Sequence, residues 1–186
     1  MYQMQRKDRV RMKIGIVSDS HKKIDLLKEA IERLKNDGAE YLIHAGDIVL
    51  KESLDILKES KLPYQAVIGN NDTHLIKFLD DYNLFQEPHY FKIGNIEAKL
   101  MHLPHYLNND AKLIIYGHTH YFDAKVEQGT LYINPGEICA RKKPLSEFVM
   151  IENEDDFWMV NYYRKDINSS SKKYKVSQTK LDKVKS

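Results

Sequence analysis

The chain has 186 residues and a mass of 21.9 kDa, enough for one domain with a substantial core and too few for two of ordinary size. Hydrophobic residues make up 42% and aromatic residues 10%, and no apolar run reaches the length of a bilayer, which excludes a spanning helix. The net charge of +2 is unevenly spread: residues 1–11 carry +3 and residues 166–186 carry +4, leaving 12–165 at −5, the reverse of the basic body with which a protein grips nucleic acid.

Residues 1–11 are polar and basic with no apolar stretch after them, so they do not read as a secretory signal. The first strand is expected at 13–17. Ile24, Leu27, Ile31 and Leu34 then recur at helical spacing, with Gly38 where a helix stop belongs. Strands follow at 41–44 and 65–68, with a short helix at 52–59 between them whose Leu54 and Leu57 face inward and which Pro63 ends. From residue 90 the period changes to two. Residues 90–93 and 96–101 around Gly94-Asn95 read as a hairpin, 113–116 as a strand, and 147–152 with 157–163 around an acidic turn as a second hairpin. This order points to an α/β fold with a mixed sheet over residues 12–165. Beyond Asp166 the composition falls to Ser, Lys and scattered polar residues, and 166–186 is expected to be disordered. The single cysteine, Cys139, reads as a small buried hydrophobe in a reducing compartment, and the expected address is cytoplasmic.

Nitrogen and oxygen donors follow five of the expected strands at their carboxyl ends: Asp19 and His21, then Asp47 after Gly46, Asn70 after Gly69, His102, and finally His118 and His120 after Gly117. In open α/β sheets that edge is where ligands bind. Asp19 with His21, and His118 with His120, stand two residues apart and can point the same way from an extended segment. The glycines permit close backbone approach. Each motif alone has an ordinary reading as a turn or a helix cap, but five in this order are hard to obtain by accident. A set of two carboxylates, one amide and four imidazoles without a thiolate suits manganese, iron, zinc, cobalt or nickel.

The ordered set Asp-x-His, Gly-Asp, Gly-Asn-x-Asp, His and Gly-His-x-His, followed by Asn134-Pro135-Gly136, resembles the calcineurin-like metallophosphoesterases, and most closely their small bacterial and archaeal phosphodiesterase branch. The resemblance covers about 12–165, with Met12 resembling the usual start of such chains and residues 1–11 therefore an extension outside the fold, and implies a four-layer αββα fold, two mixed sheets flanked by helices. It implies two divalent cations, manganese foremost, one held by Asp19, His21 and His120, the other by Asn70, His102 and His118, with Asp47 bridging both. It also implies a bridging hydroxide as the nucleophile, attacking phosphorus in line. Two dications against the charges of Asp19 and Asp47 leave such a site positive toward phosphate.

Three departures from that pattern bear on the chemistry. Asn71 stands where many relatives place a histidine that protonates the leaving group, which favours activated or diester substrates. His102-Leu103-Pro104-His105 replaces a His-Gly-His, making His105 the candidate proton donor. Only 14 residues separate His102 from Gly117, too few for the helix relatives carry there. His44 reads as a hydrogen-bonded residue behind the ligands, Asp72 as an orienting group or a helix cap before 73–79, and Glu137, where relatives often place serine, has no account from sequence. The expected partner is a small phosphorylated substrate, with neither a membrane nor nucleic acid and with homo-oligomer formation left open. The rival readings are a non-catalytic scaffold built on this fold and a nuclease.

Overall fold

The computed structural model describes residues 11–183. In chain order its elements are β1 (Lys13–Val17), α1 (Ile24–Asn36), β2 (Tyr41–His44), α2 (Lys51–Glu59), β3 (Tyr64–Val67), a 3₁₀ helix (Thr73–Phe78), β4 (Leu84–Phe85), β5 (His89–Ile93), β6 (Ile96–Leu100), β7 (Leu113–Ile115), β8 (Phe122–Glu127), β9 (Thr130–Pro135), β10 (Leu145–Asn153), β11 (Phe157–Asp166) and β12 (Lys175–Asp182). They form two mixed sheets, one of seven strands in the order β12-β11-β10-β1-β2-β3-β4 and one of five in the order β5-β6-β7-β9-β8.

The sheets face each other across an apolar layer. Ile14, Ile16, Ile43, Val67, Val149 and Ile151 come from the first sheet; Ala98, Leu100, Leu113, Ile115, Leu131 and Ile133 come from the second. On the outer face of the seven-stranded sheet, α1 buries Leu27, Ala30, Ile31 and Leu34 and α2 buries Leu54, Ile56 and Leu57, each set at helical spacing. After α1, the amides of Gly38 (φ +93°) and Ala39 turn back to the carbonyls of Lys35 and Leu34 and stop the helix. The outer face of the five-stranded sheet carries the smaller cluster of Met101, Ile114, Tyr116 and Tyr132 under the segment 102–112. That layer is a loop here, as the short spacing before Gly117 anticipates.

β1, β2 and β3 run parallel in one sheet, and β6 runs parallel to β7 in the other, so the loops that leave them gather along the seam between the sheets. No helix among the described residues is long and apolar enough to cross a membrane.

Residues 1–10 lie outside the described residues, so of the expected extension 1–11 only Arg11 is placed, with its Nε at 3.1 Å from Glu154. The expected disorder of 166–186 is corrected for the described part: β12 pairs antiparallel with β11 along eight residues, from Arg164 opposite Lys175 to Phe157 opposite Asp182. Lysine is what made this segment look unable to pack, yet Lys180 and Lys183 lie over the rings of Phe157 and Trp158, at 4.2 and 5.2 Å from the ring centres. Their methylene stems and ammonium groups use aromatic surface that a hydrophobicity reading does not count.

Candidate metal centre

Seven expected donors converge at the seam. Asp47 stands in the middle, with Oδ2 at 3.6 Å from His21 Nε2 and Oδ1 at 3.4 Å from His102 Nε2. On the His21 side, His120 Nε2 is 3.3 Å from Asp19 Oδ1, and the rings of His21 and His120 stack at 5.6 Å. On the other side, Asn70 Oδ1 is 2.9 Å from His102 Nε2 and 3.1 Å from His118 Nδ1, while the rings of His102 and His118 meet edge-on at 5.2 Å. The contacts therefore sort the donors into Asp19, His21 and His120 on one side and Asn70, His102 and His118 on the other, with Asp47 touching both.

The backbone is bent to achieve this. Asp19, His21, Asp47, His118 and His120 all have φ between +45° and +65°. This left-handed region is costly for residues with a Cβ, and such strain concentrates where surrounding structure enforces a functional geometry. Two glycines allow the close approach: a Cβ on Gly69 would lie 2.2 Å from the Asp47 amide nitrogen, and one on Gly117 would lie 2.2 Å from Ser18 Oγ and 3.0 Å from Asp19 Oδ2.

Outer groups fix the donors in turn. The Ser18 hydroxyl and the His118 amide donate to Asp19 Oδ2, at 2.6 and 3.2 Å. The Asn71 amide and side chain donate to the two oxygens of Asp47, at 3.0 and 2.8 Å. His102 Nδ1 donates to the Ala45 carbonyl at 2.8 Å, which in the neutral tautomer leaves the Nε2 lone pair toward Asn70 and Asp47. His120 Nδ1 donates at 2.5 Å to Glu137, whose carboxylate also takes the amides of Arg141, Lys142 and Lys143. Glu137, unexplained from sequence, is thus the group that turns His120 Nε2 toward the cluster. Glu87 receives the amides of His102 and Leu103 at 2.5 and 2.8 Å, a role no motif announced. Asp72 does not cap the 3₁₀ helix; it is fully buried and clamps the amides of Ile48, Val49 and Gly69. His44 is also fully buried, with Nε2 at 2.9 Å from Ser20 Oγ. His105 is not drawn into the cluster: it is exposed, and its side chain makes no hydrogen bond or ion pair among the described residues.

The electrostatics favour positive charge between the two carboxylates. Burial raises the pKa of Asp19. Burial also acts on Asp47, but the hydrogen bond and charge of His102 and the donors of Asn71 outweigh it and lower the pKa of this carboxylate. For His102, burial disfavours the charged form, yet the hydrogen bond to Asp47 and the charges of Asp19 and Asp47 win and push it up to about 9. Burial lowers His21, toward the neutral imidazole that a cation needs. Cys139 offers its sulfur close to His21 and His120, but burial and Glu137 raise its pKa and keep it a neutral thiol that donates to Glu137 at 3.2 Å.

The donors fit divalent cations. Asp19 Oδ1 and His21 Nε2 are buried with no hydrogen-bond partner, a costly state for polar atoms unless something positive lies between them. Asp19, Asp47 and His102 each present a ligand atom within 4.8 Å of the others. A pocket of about 580 Å³ opens beside this cluster and is lined in part by His21 and Asn71.

Two facing mixed sheets with an oxygen- and nitrogen-rich cluster at their seam define a class of metal-binding α/β domain. The chain belongs to the calcineurin-like phosphoesterase superfamily, whose domain model matches residues 12–156. It is 31% identical over 144 residues to phosphodiesterase MJ0936 of Methanocaldococcus jannaschii, covering 69% of this chain and 85% of that protein. It is 27% identical over 165 residues to the probable metallophosphoesterase YsnB of Bacillus subtilis, covering 82% and 90%. Among solved structures, vacuolar protein sorting 29 of Cryptosporidium parvum superposes with a TM-score of 0.73 at 18% identity over 93% of this chain and 99% of that one, which shows a shared fold.

Proposed function

We propose that the chain is a phosphoesterase dependent on two divalent cations that cuts phosphodiesters in preference to monoesters. The observation that carries this reading is the division of the seven donors into two sets with Asp47 reaching both, while Asp19 Oδ1 and His21 Nε2 are buried without a hydrogen bond. Asp19, His21 and His120 would hold one cation, and Asn70, His102 and His118 the other. Manganese is the expected metal, with iron, zinc, nickel and cobalt suited to the same donors. When bound, the cations supply Lewis acidity toward phosphate oxygens and a water of lowered pKa.

The remaining steps rest on the chain's own groups. Glu137 and the Ala45 carbonyl hold His120 and His102 in the tautomers that present Nε2 to a cation. Asn71 is committed to Asp47 and cannot titrate, so the place from which a neighbouring histidine would protonate a leaving group is filled by a neutral amide. That favours diesters, whose leaving groups need less help. His105, the candidate proton donor from the sequence, is exposed on the loop after β6 and outside the donor cluster, so that step is not assigned to it. The 31% identity to a phosphodiesterase supports the same substrate class.

The test is hydrolysis of bis(p-nitrophenyl) phosphate and p-nitrophenyl phosphate by metal-stripped protein with and without Mn²⁺. The expected result is manganese-dependent turnover with kcat/KM roughly tenfold or more higher for the diester. Asp47→Ala is expected to lose both cation binding and turnover while its circular dichroism keeps the folded signature; near-normal rates in that variant would remove Asp47 from the centre. No metal-dependent turnover of either ester would favour a non-catalytic module on this fold.

A further inference from the structure

The pocket beside the metal centre is lined by three cations, Lys22, Lys23 and Arg141, and by no carboxylate. All three are exposed, and none of their side chains makes a hydrogen bond or an ion pair among the described residues. Free cations are ordinary on a surface, but these converge on one concavity, within a chain whose lysines elsewhere repeatedly find partners, as Lys51 does with Asp55, Lys99 with Asp110 and Lys143 with Glu147.

The pocket is also built. Its apolar walls include Val49, Ala140 and Ile167, and the first two are held at φ +63° and +53°, a conformation β-branched and alanine side chains rarely adopt. Asp72 fixes the Val49 amide at 2.7 Å. The Arg141 amide is fastened at 3.0 Å to the same Glu137 carboxylate that orients His120, so one buried acid fixes both a metal donor and the backbone from which the pocket's arginine extends. The Ile167 amide is tied at 2.9 Å to the carbonyl of Pro144.

We propose that the substrate is a small phosphodiester one of whose substituents carries a second phosphoryl group, received by Lys22, Lys23 and Arg141. This rests on the reading of the neighbouring cluster as a phosphoesterase centre. The planar fork of arginine matches phosphate oxygens in pairs, and two ammonium groups add mobile charge around it. The organic part joining the two phosphates lies against Val49, Ala140 and Ile167, and the volume is that of an ordinary small-molecule site.

The test uses manganese-loaded full-length protein at low ionic strength, where exposed charges are least screened. The substrates are the p-nitrophenyl ester of thymidine 5′-phosphate and the same ester bearing a 3′-phosphate. The expected kcat/KM is roughly tenfold or more higher for the 3′-phosphorylated ester, and the ratio falls to about one in Lys22→Gln/Lys23→Gln/Arg141→Gln. A ratio near one in the unaltered protein overturns the proposal, as does a ratio that survives the triple substitution. Calorimetric titration with thymidine 3′,5′-bisphosphate and thymidine 5′-phosphate reads the pocket without turnover. Tighter binding of the bisphosphate, lost in the variant, supports Lys22, Lys23 and Arg141 as the receiver of a second phosphoryl group even if neither ester is hydrolysed, in which case the phosphoesterase reading alone fails; equal affinities overturn the proposal.

Discussion

With the amides of Arg141, Lys142 and Lys143 and the Cys139 thiol already bonded to its carboxylate, Glu137 meets His120 as a fixed, ionised acceptor. Burial alone would raise its pKa, but these donors and His120 hold the carboxyl down to about 2. Glu137→Gln replaces one acceptor oxygen by an amide NH2 donor that faces those N–H groups, so the His120 ring loses its orientation. Manganese affinity is expected to fall about 10–100-fold, as for other groups that support a metal-binding histidine, with no loss of folded protein; unchanged affinity by calorimetry would remove Glu137 from this role. His44 provides a second prediction. Burial, reinforced by the charge of His102, lowers its pKa to about 3 in the folded chain against 6.5 for a free imidazole. Between those values the unfolded chain takes up a proton that the folded chain refuses, so stability falls as pH drops below 6.5. The contribution at pH 4 is about 3 kcal/mol at 1.36 kcal/mol per pH unit. Urea unfolding at pH 7 and pH 4 should show a smaller acid loss in His44→Gln than in the unaltered chain; equal losses would mean that His44 does not drive it. At this scale the cluster's donors were legible because each stands in a motif at a strand end. Glu137, Glu87 and Asp72 were not, because their roles lie in backbone amides far along the chain, and no spacing of residues announces an amide acceptor.

Among the elements, the parallel strands and their helices could be read in advance, since 13–17 and 41–44 are short apolar runs and α1 repeats its buried residues at helical spacing. Boundaries of the next strands moved by one residue, to Tyr64–Val67 and Leu113–Ile115. β8 and β9 both escaped: β8 carries a strand's alternation in its sequence, with Phe122, Ala124 and Val126 half-buried and Asp123, Lys125 and Glu127 exposed, whereas β9 is buried throughout and shows no such alternation. β12 escaped because its residues are mostly exposed and its order comes from backbone pairing with β11. Deleting 175–186 would leave β11 as the margin of the sheet, exposing a row of unpaired amides and carbonyls beside the surfaces of Phe157 and Trp158. The truncated chain is expected to melt several degrees lower and to associate at micromolar concentration. Scanning calorimetry and light scattering would show this, and an unchanged melting point with a monodisperse profile would mean that β12 contributes nothing.

For the molecule as a whole, the cluster's donors come from different sheets: Asp19, His21, Asp47 and Asn70 follow strands of the seven-stranded sheet, and His102, His118 and His120 follow strands of the five-stranded one. Each cation would therefore draw ligands from both halves of the sandwich. Saturation with Mn²⁺ at about a hundred times its dissociation constant is worth about 2.7 kcal/mol, which for a chain of this size is a rise of roughly 5–10 °C in melting temperature. A scan with and without chelator checks this, and coincident transitions would count against any metal in the cluster. The ions would thus fasten the two sheets at the seam where their loops meet, resisting the slide of one sheet over the other. Chelation should accordingly speed amide exchange where β1 and β2 face β6 and β7, and leave the amides of α1, packed on the far face, as slow as before.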